Sequence, residues 1–159
     1  MMRAATGFLA AMLFFLVGAA AHAADPGIVG WEKGGVYDKL FDVSESDSFK
    51  GKVLEIQEIV PMPGMAPGIG LVIEDKKDKR QETVHLGPKS AVDLSVIGLK
   101  EGDMVKVVGA WAEVDGKDVI LAIKIKKAED VELKVRRTKD GFPFWSMTPE
   151  EVAHERSGQ

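Results

Sequence analysis

The stretch 49-FKGKVLEIQEIV-60 decides the fold. Phe49, Gly51 and Val53 stand on one face of an extended chain, and then Leu54 and Ile56 take up the opposite phase. A strand whose alternation slips by one residue carries a bulge or a coil, which lets it bend hard enough to serve two sides of a small barrel.

Working outward, 61-PMPGMAPGIG-70 is a Pro/Gly loop that carries Met62 and Met65, and 69-IGLVIED-75 is a second strand. The charged tip 76-KKDKR-80 is a hairpin turn, and 81-QETVHLG-87 is the third strand. A longer connection, 88–103, leads to 104-MVKVVGAWAEV-114, which pairs through the turn Asp115-Gly116 with 118-DVILAIKIKK-127. In that fifth strand Val119, Leu121, Ile123 and Ile125 alternate with Ile120, Ala122, Lys124 and Lys126, so one face is expected to be buried and the other largely wet. A sixth strand fits 131-VELKVRR-137, with Val131, Leu133 and Val135 inward.

These elements predict an all-β protein, a small five- to six-stranded OB-like Greek-key barrel with an N-terminal signal segment and a short C-terminal helix. Another small barrel or a sandwich would give much the same strand pattern. The helix belongs to 148-TPEEVAHERSG-158, where Thr148 caps, Pro149 takes the first helical position and Glu151 closes a capping box. The expected domain plan is a signal segment at 1–23, an irregular arm at 24–48, the barrel at 49–146 and a helical tail at 147–159. The arm holds Trp31, Tyr37, Leu40 and Phe41 as isolated anchors, with one turn of helix at "YDKLF".

Arg3, the apolar run 4–21 and the small residues of "AHAAD" make the three-part pattern of a secretory signal, cut after Ala23. If it stays uncut, the same run is just long enough to anchor the chain in a membrane. Either way the rest of the chain is expected outside the cytoplasm, periplasmic or exported. Beyond residue 23 the chain has 20 basic and 25 acidic residues, so it is mildly acidic. The absence of cysteine excludes thiol catalysis, thiolate zinc sites and covalent haem attachment.

Three groups of residues are candidates for function. Met62, Met65 and His85 offer two thioethers and an imidazole, a donor set that suits Cu(I) and, less well, iron. With Val84 and Leu86 inward, His85 turns to the outer face. Lys124, Lys126 and Lys127, joined by Lys134, Arg136, Arg137 and Lys139, make a basic stripe across the last two strands. On a net acidic exported chain whose strand faces hold few aromatics, that stripe favours protein docking or a solvated face over nucleic acid. A membrane headgroup becomes a partner only if residues 1–23 stay attached. Phe142, Phe144 and Trp145 in "DGFPFWS" cover an open barrel end or, with Lys124, Lys126 and Arg136, form a partner-binding patch. No nucleophile elbow, phosphate loop or dinucleotide fingerprint is present, so a non-enzymatic role is expected.

The pieces "GVYDKLFD", "FKGKV", "PMPGMAPGIGLVI", "VHLGP", "KEGDMVKVVGAW", "DVILAIKIKK" and "RRTKDGFPFWS", taken in order over roughly residues 34–146, resemble a family of exported bacterial proteins with an OB-like domain. The chain is also similar to accessory proteins of bacterial magnetosomes, the magnetite-forming compartments. A further resemblance, to small periplasmic OB-fold copper chaperones that use two Met, one His and a nearby Trp, would place metal at Met62, Met65 and His85 beside Trp111. Together these resemblances imply a binding or accessory module of the cell envelope engaging a protein or small ligand. The alternative they imply is a periplasmic copper- or iron-binding protein with a biomineralisation role.

Overall fold

The computed structural model describes residues 25–158, so the expected signal segment lies outside the described residues. Six strands form one sheet: β1 Ser46–Ile59, β2 Gly68–Asp75, β3 Gln81–Pro88, β4 Met104–Val114, β5 Lys117–Ala128 and β6 Val131–Lys134. One helix, α1, runs from Pro149 to Ser157, and short 3-10 turns fill several connections, one of them, Asp38–Leu40, within "YDKLF". Neighbouring strands are antiparallel in the order β3-β2-β1-β4-β5-β6. A parallel contact of β3 with β5, Val84 opposite Ile120 and His85 opposite Leu121, bends the sheet into a ring. Two residue pairs are a short seam, so the sheet is ring-like and not a fully closed barrel.

The phase slip in β1 does what its pattern requires. Residues 46–52 pair with β4, residues 51–59 pair with β2, and the register shifts between Val53 and Glu55, leaving Leu54 without a partner. That bulge is where β1 turns from one side of the ring to the other. The core inside the ring holds Val53, Leu71, Ile73, Val84, Leu86 and Val107, all essentially inaccessible to water.

In β5 the expected division into one buried and one wet face is corrected. The β4–β5 register shifts opposite Val108/Gly109, so that Ile123 is an extra residue, and its carbonyl accepts from both the Val135 and Arg136 amides. Before this bulge Ile120 and Ala122 point into the ring; beyond it Ile125 does. Val119 and Leu121 therefore lie on the outer face, yet they are buried as well, in a second apolar cluster with Trp31, Tyr37, Ala66 and Val114. The N-terminal arm is the cover. Val131 is another correction: it is 38% exposed, whereas Leu133 and Val135 are buried.

The capping box forms as expected, with Thr148 Oγ1 accepting from the Glu151 amide at 3.2 Å and Glu151 accepting from the Thr148 amide at 2.7 Å. The helix buries no residue and is pinned by Glu155 to Arg137 at 3.4 Å. At the β4–β5 hairpin Asp115 and Gly116 both adopt positive φ, 50° and 75°, the two-residue turn that Asp-Gly favours.

Candidate functional site

Alternation sets which lysines face outward. In β1, Gly51 and Val53 are buried, which turns Lys50 and Lys52 to solvent; in β4, Val105 and Val107 are buried, which turns Lys106 to solvent. Register then places like against like: Lys50 opposite Lys106, and Lys106 opposite Lys126. Lys76, just past the end of β2, extends the row, its amide donating to the Lys50 carbonyl at 2.8 Å. The result is a line Lys76–Lys50–Lys106–Lys126 across four neighbouring backbones, spanning roughly 15 Å at the ordinary strand spacing.

These lysines line a groove of about 540 Å3 with Met104 and Lys127, and the one carboxylate along it is Glu129. Among the described residues no carboxylate comes within ion-pair distance of the four. Glu132 faces Lys126 in register but bonds Lys124 at 3.3 Å, and Lys127 is taken by Asp103 at 3.0 Å. Like charges directly opposite on neighbouring strands are unfavourable. The row therefore gathers positive charge on one face of a chain that is acidic as a whole.

The expected basic stripe is present in part: Lys134 stands opposite Lys124 and shares a cleft with Lys124 and Lys126. From Lys126 the cations also continue the other way, through Lys106 to Lys50, and the stripe does not include Arg136. Arg136 is 2% exposed. Its Nη1 donates to Asp38 at 2.8 Å and to the Gly141 carbonyl at 2.9 Å, and its guanidinium lies between the rings of Phe41 and Trp145, about 5 Å from each centroid. A guanidinium satisfied in this way and cut off from water is a clamp between arm and tail, not a docking contact. Asp38 is pushed up by burial, but donors from Gly34, Arg136 and Lys33 outweigh this and hold its carboxyl below the usual range.

Phe144 and Trp145 belong to the same clamp. Phe144 is buried; Trp145 donates from Nε1 to the Trp31 carbonyl at 2.8 Å and packs edge-on against the Trp31 ring. Of the two readings of "DGFPFWS", covering the sheet is the one this packing fits. Gly87 leaves the room for it, since a Cβ there would meet the Trp145 ring at 2.5 Å.

His85 is on the outer face, with Val84 and Leu86 in the core, but the arm covers it and it is 7% exposed. The Tyr37 hydroxyl lies 3.1 Å from its Nδ1 and the two rings stack. Burial pushes the Tyr37 hydroxyl up, so it stays a neutral donor, and His85 is its hydrogen-bond partner among the described residues. Either Nδ1 accepts from that O–H, with the imidazole proton on Nε2, or Nδ1–H donates to the Tyr37 oxygen in the other tautomer. Burial lowers the His85 pKa to about 4, so the ring is neutral near pH 7.

His85 lines a cleft of about 290 Å3 with Ile59, Pro61, Thr83, Lys117 and Asp118, and neither methionine lines it. Met62 and Met65 pack against the Trp31 cluster; Met65 lies over Gly30, where a Cβ would come within 2.5 Å of its Cγ. Their loop is joined to the arm by the Ala66 amide to the Val29 carbonyl at 2.7 Å and by Trp31 Nε1 to the Ala66 carbonyl at 2.8 Å. Both methionines thus pack against the arm's aromatic cluster, while His85 is held by Tyr37. Trp111 lies elsewhere again, in a cleft where Asp47, Asp75, Asp78 and Glu82 stand beside Lys77 and Arg80. Among the described residues no three acidic or histidine side chains are grouped as a metal site, and no helix is long and apolar enough to cross a membrane.

No curated protein and no solved structure matches the chain. A family model does, over residues 45–132, which is more than half of the chain and runs from the threshold of β1 into β6. That span contains the whole lysine row, whereas the arm and the tail that clamp the outer face flank it on either side. On this match the chain belongs to the MamS/MamX magnetosome protein family.

Proposed function

We propose that the chain is a non-enzymatic accessory module of the magnetosome system, held outside the cytoplasm, that works by binding an envelope protein through the outer face of β1, β4 and β5. The observation that carries this reading is the row Lys76–Lys50–Lys106–Lys126, four cations in line with no carboxylate partner among the described residues. Such an arrangement opposes folding stability and has its use in attraction of something anionic. Sequence features bearing on location agree with the reading, since Arg3, the apolar run and "AHAAD" have the three-part pattern of a secretory signal.

The copper or iron reading gains no support from placement. Met62 and Met65 pack under the arm, and His85 is bonded through Nδ1 to the Tyr37 hydroxyl.

A photo-crosslinking residue at position 106, in cells that carry the full chain, tests the docking reading. One defined adduct in the envelope fraction, absent when the same residue stands at position 117 on the far turn, is the expected result. No adduct from position 106, or the same adducts from both positions, would overturn it.

A further inference from the structure

We infer that the occupant of the lysine groove is an aspartate- or glutamate-rich protein segment, an inference that rests on the docking reading above. Three observations bear on this class of partner.

The first is the kind of cation. The row consists of lysines, and the groove they line contains no arginine. An arginine fork would impose a planar, bidentate geometry on carboxylate and phosphate alike, whereas lysines are compact, strongly hydrated point charges that impose none. A series of carboxylates can meet such charges without a fixed geometry at each one. The second is the lack of a stacking surface. The groove's apolar residues are Met104, Val105 and Ala128, with no aromatic among them, so a single-stranded nucleic acid would find charge but no platform for its bases.

The third is position. Chain direction places the lysine row and the N-terminus of the described chain at opposite ends of the β2–β3 hairpin. Gly27 is bonded through its carbonyl to Ser90, next to the paired ends Gly68 and Pro88, while Lys76 lies at the hairpin tip. Eight strand residues separate the two ends, about 25 Å. A chain tethered to a membrane through its N-terminal residues would hold the groove away from the bilayer and toward proteins beyond it. The groove is also the right size for a segment. A row of roughly 15 Å matches about four to five residues of an extended strand.

The test uses the full chain in a neutral detergent, with a fluorescent oligoglutamate peptide as the probe, read by anisotropy at low salt. Unlabelled oligoglutamate, nanodiscs containing phosphatidylglycerol, and single-stranded DNA serve as competitors. The inference expects saturable peptide binding that fades as salt rises, weakens at least about tenfold in Lys106→Glu and in Lys126→Glu, and is unaffected in Lys139→Glu. It expects nanodiscs and DNA to compete at least about tenfold less well than the peptide. Preference for nanodiscs or for DNA would overturn the inference, as would binding that ignores the charge reversals. Salt-sensitive self-association without peptide binding would overturn it too and would name a second copy as the occupant. If the position-106 crosslink forms in cells but oligoglutamate does not bind, docking survives and only the acidic class falls.

Discussion

Replacing Lys106 by Glu is expected to stabilise the protein while removing its binding. Lys106 sits between Lys50 and Lys126, so the change turns two like-charge contacts into two opposite-charge ones. At a separation of about 6 Å in a water-like dielectric, one contact is worth roughly 0.7 kcal/mol before screening and about 0.3 kcal/mol at physiological salt. Two repulsions lost and two attractions gained sum to about 1 kcal/mol, within the range for cross-strand pairs. The side chain is exposed on the outer face and the backbone pairing is unchanged, so no packing term offsets the gain. The assay is urea unfolding of both proteins followed by tryptophan emission, near 0.05 M and near 1 M NaCl. The variant should have the higher midpoint at low salt and the same slope, and the difference should vanish at high salt, where the screening length falls to about 3 Å. A variant less stable than its parent, or a gain that persists at high salt, would show that the row is not under mutual repulsion and would remove the main argument for its being a site.

Other outcomes follow from the clamp. Arg136→Met should cost about 3 kcal/mol, because it leaves Asp38 buried with only Lys33 and Gly34 as donors; Lys33→Met, at the exposed end of the same cluster, should cost well under about 1 kcal/mol, and thermal unfolding compares the two. His85 takes up no proton in the folded state until near pH 4, whereas the unfolded chain does so near 6.5, so stability should fall as pH drops through that window, by up to about 3 kcal/mol. Urea titrations across pH 4 to 7 should show that slope in the parent and lose it in His85→Asn. Gly141→Ala should destabilise by about 2 kcal/mol or more, since φ there is 72° and an added Cβ would drive into the Phe41 ring that flanks Arg136; loss of thermal stability without loss of peptide binding is the expected signature.

The curved first strand was legible because its apolar residues change phase within the strand, and the Asp-Gly hairpin because that dipeptide fits one turn type. The lysine row was not, for a reason that lies in one residue. Counting back from the Asp115-Gly116 turn sets Lys106 against Ile125; the bulge at Ile123 moves the register by one and brings Lys126 opposite. Alternation does turn Lys50 and Lys106 outward, and that was the available signal, but only strand order makes them neighbours. Arg136 misled for the converse reason: an arginine after a basic strand reads as surface, and only the arm's Asp38, almost a hundred positions away, draws it inward. His85 was assigned to the correct face, yet local pattern has no means of saying that a distant segment covers that face.

The clamp between arm and tail also bears on how the chain reaches its final form. Trp31 meets Trp145 and Asp38 meets Arg136 across 114 and 98 positions of sequence. Contacts this remote carry a large loop-closure cost and form late, after the strands between them have paired. The arm therefore cannot lock before Arg136 and Trp145 are available to it, and a chain truncated before Arg136 would leave Trp31 and Tyr37 without their lid.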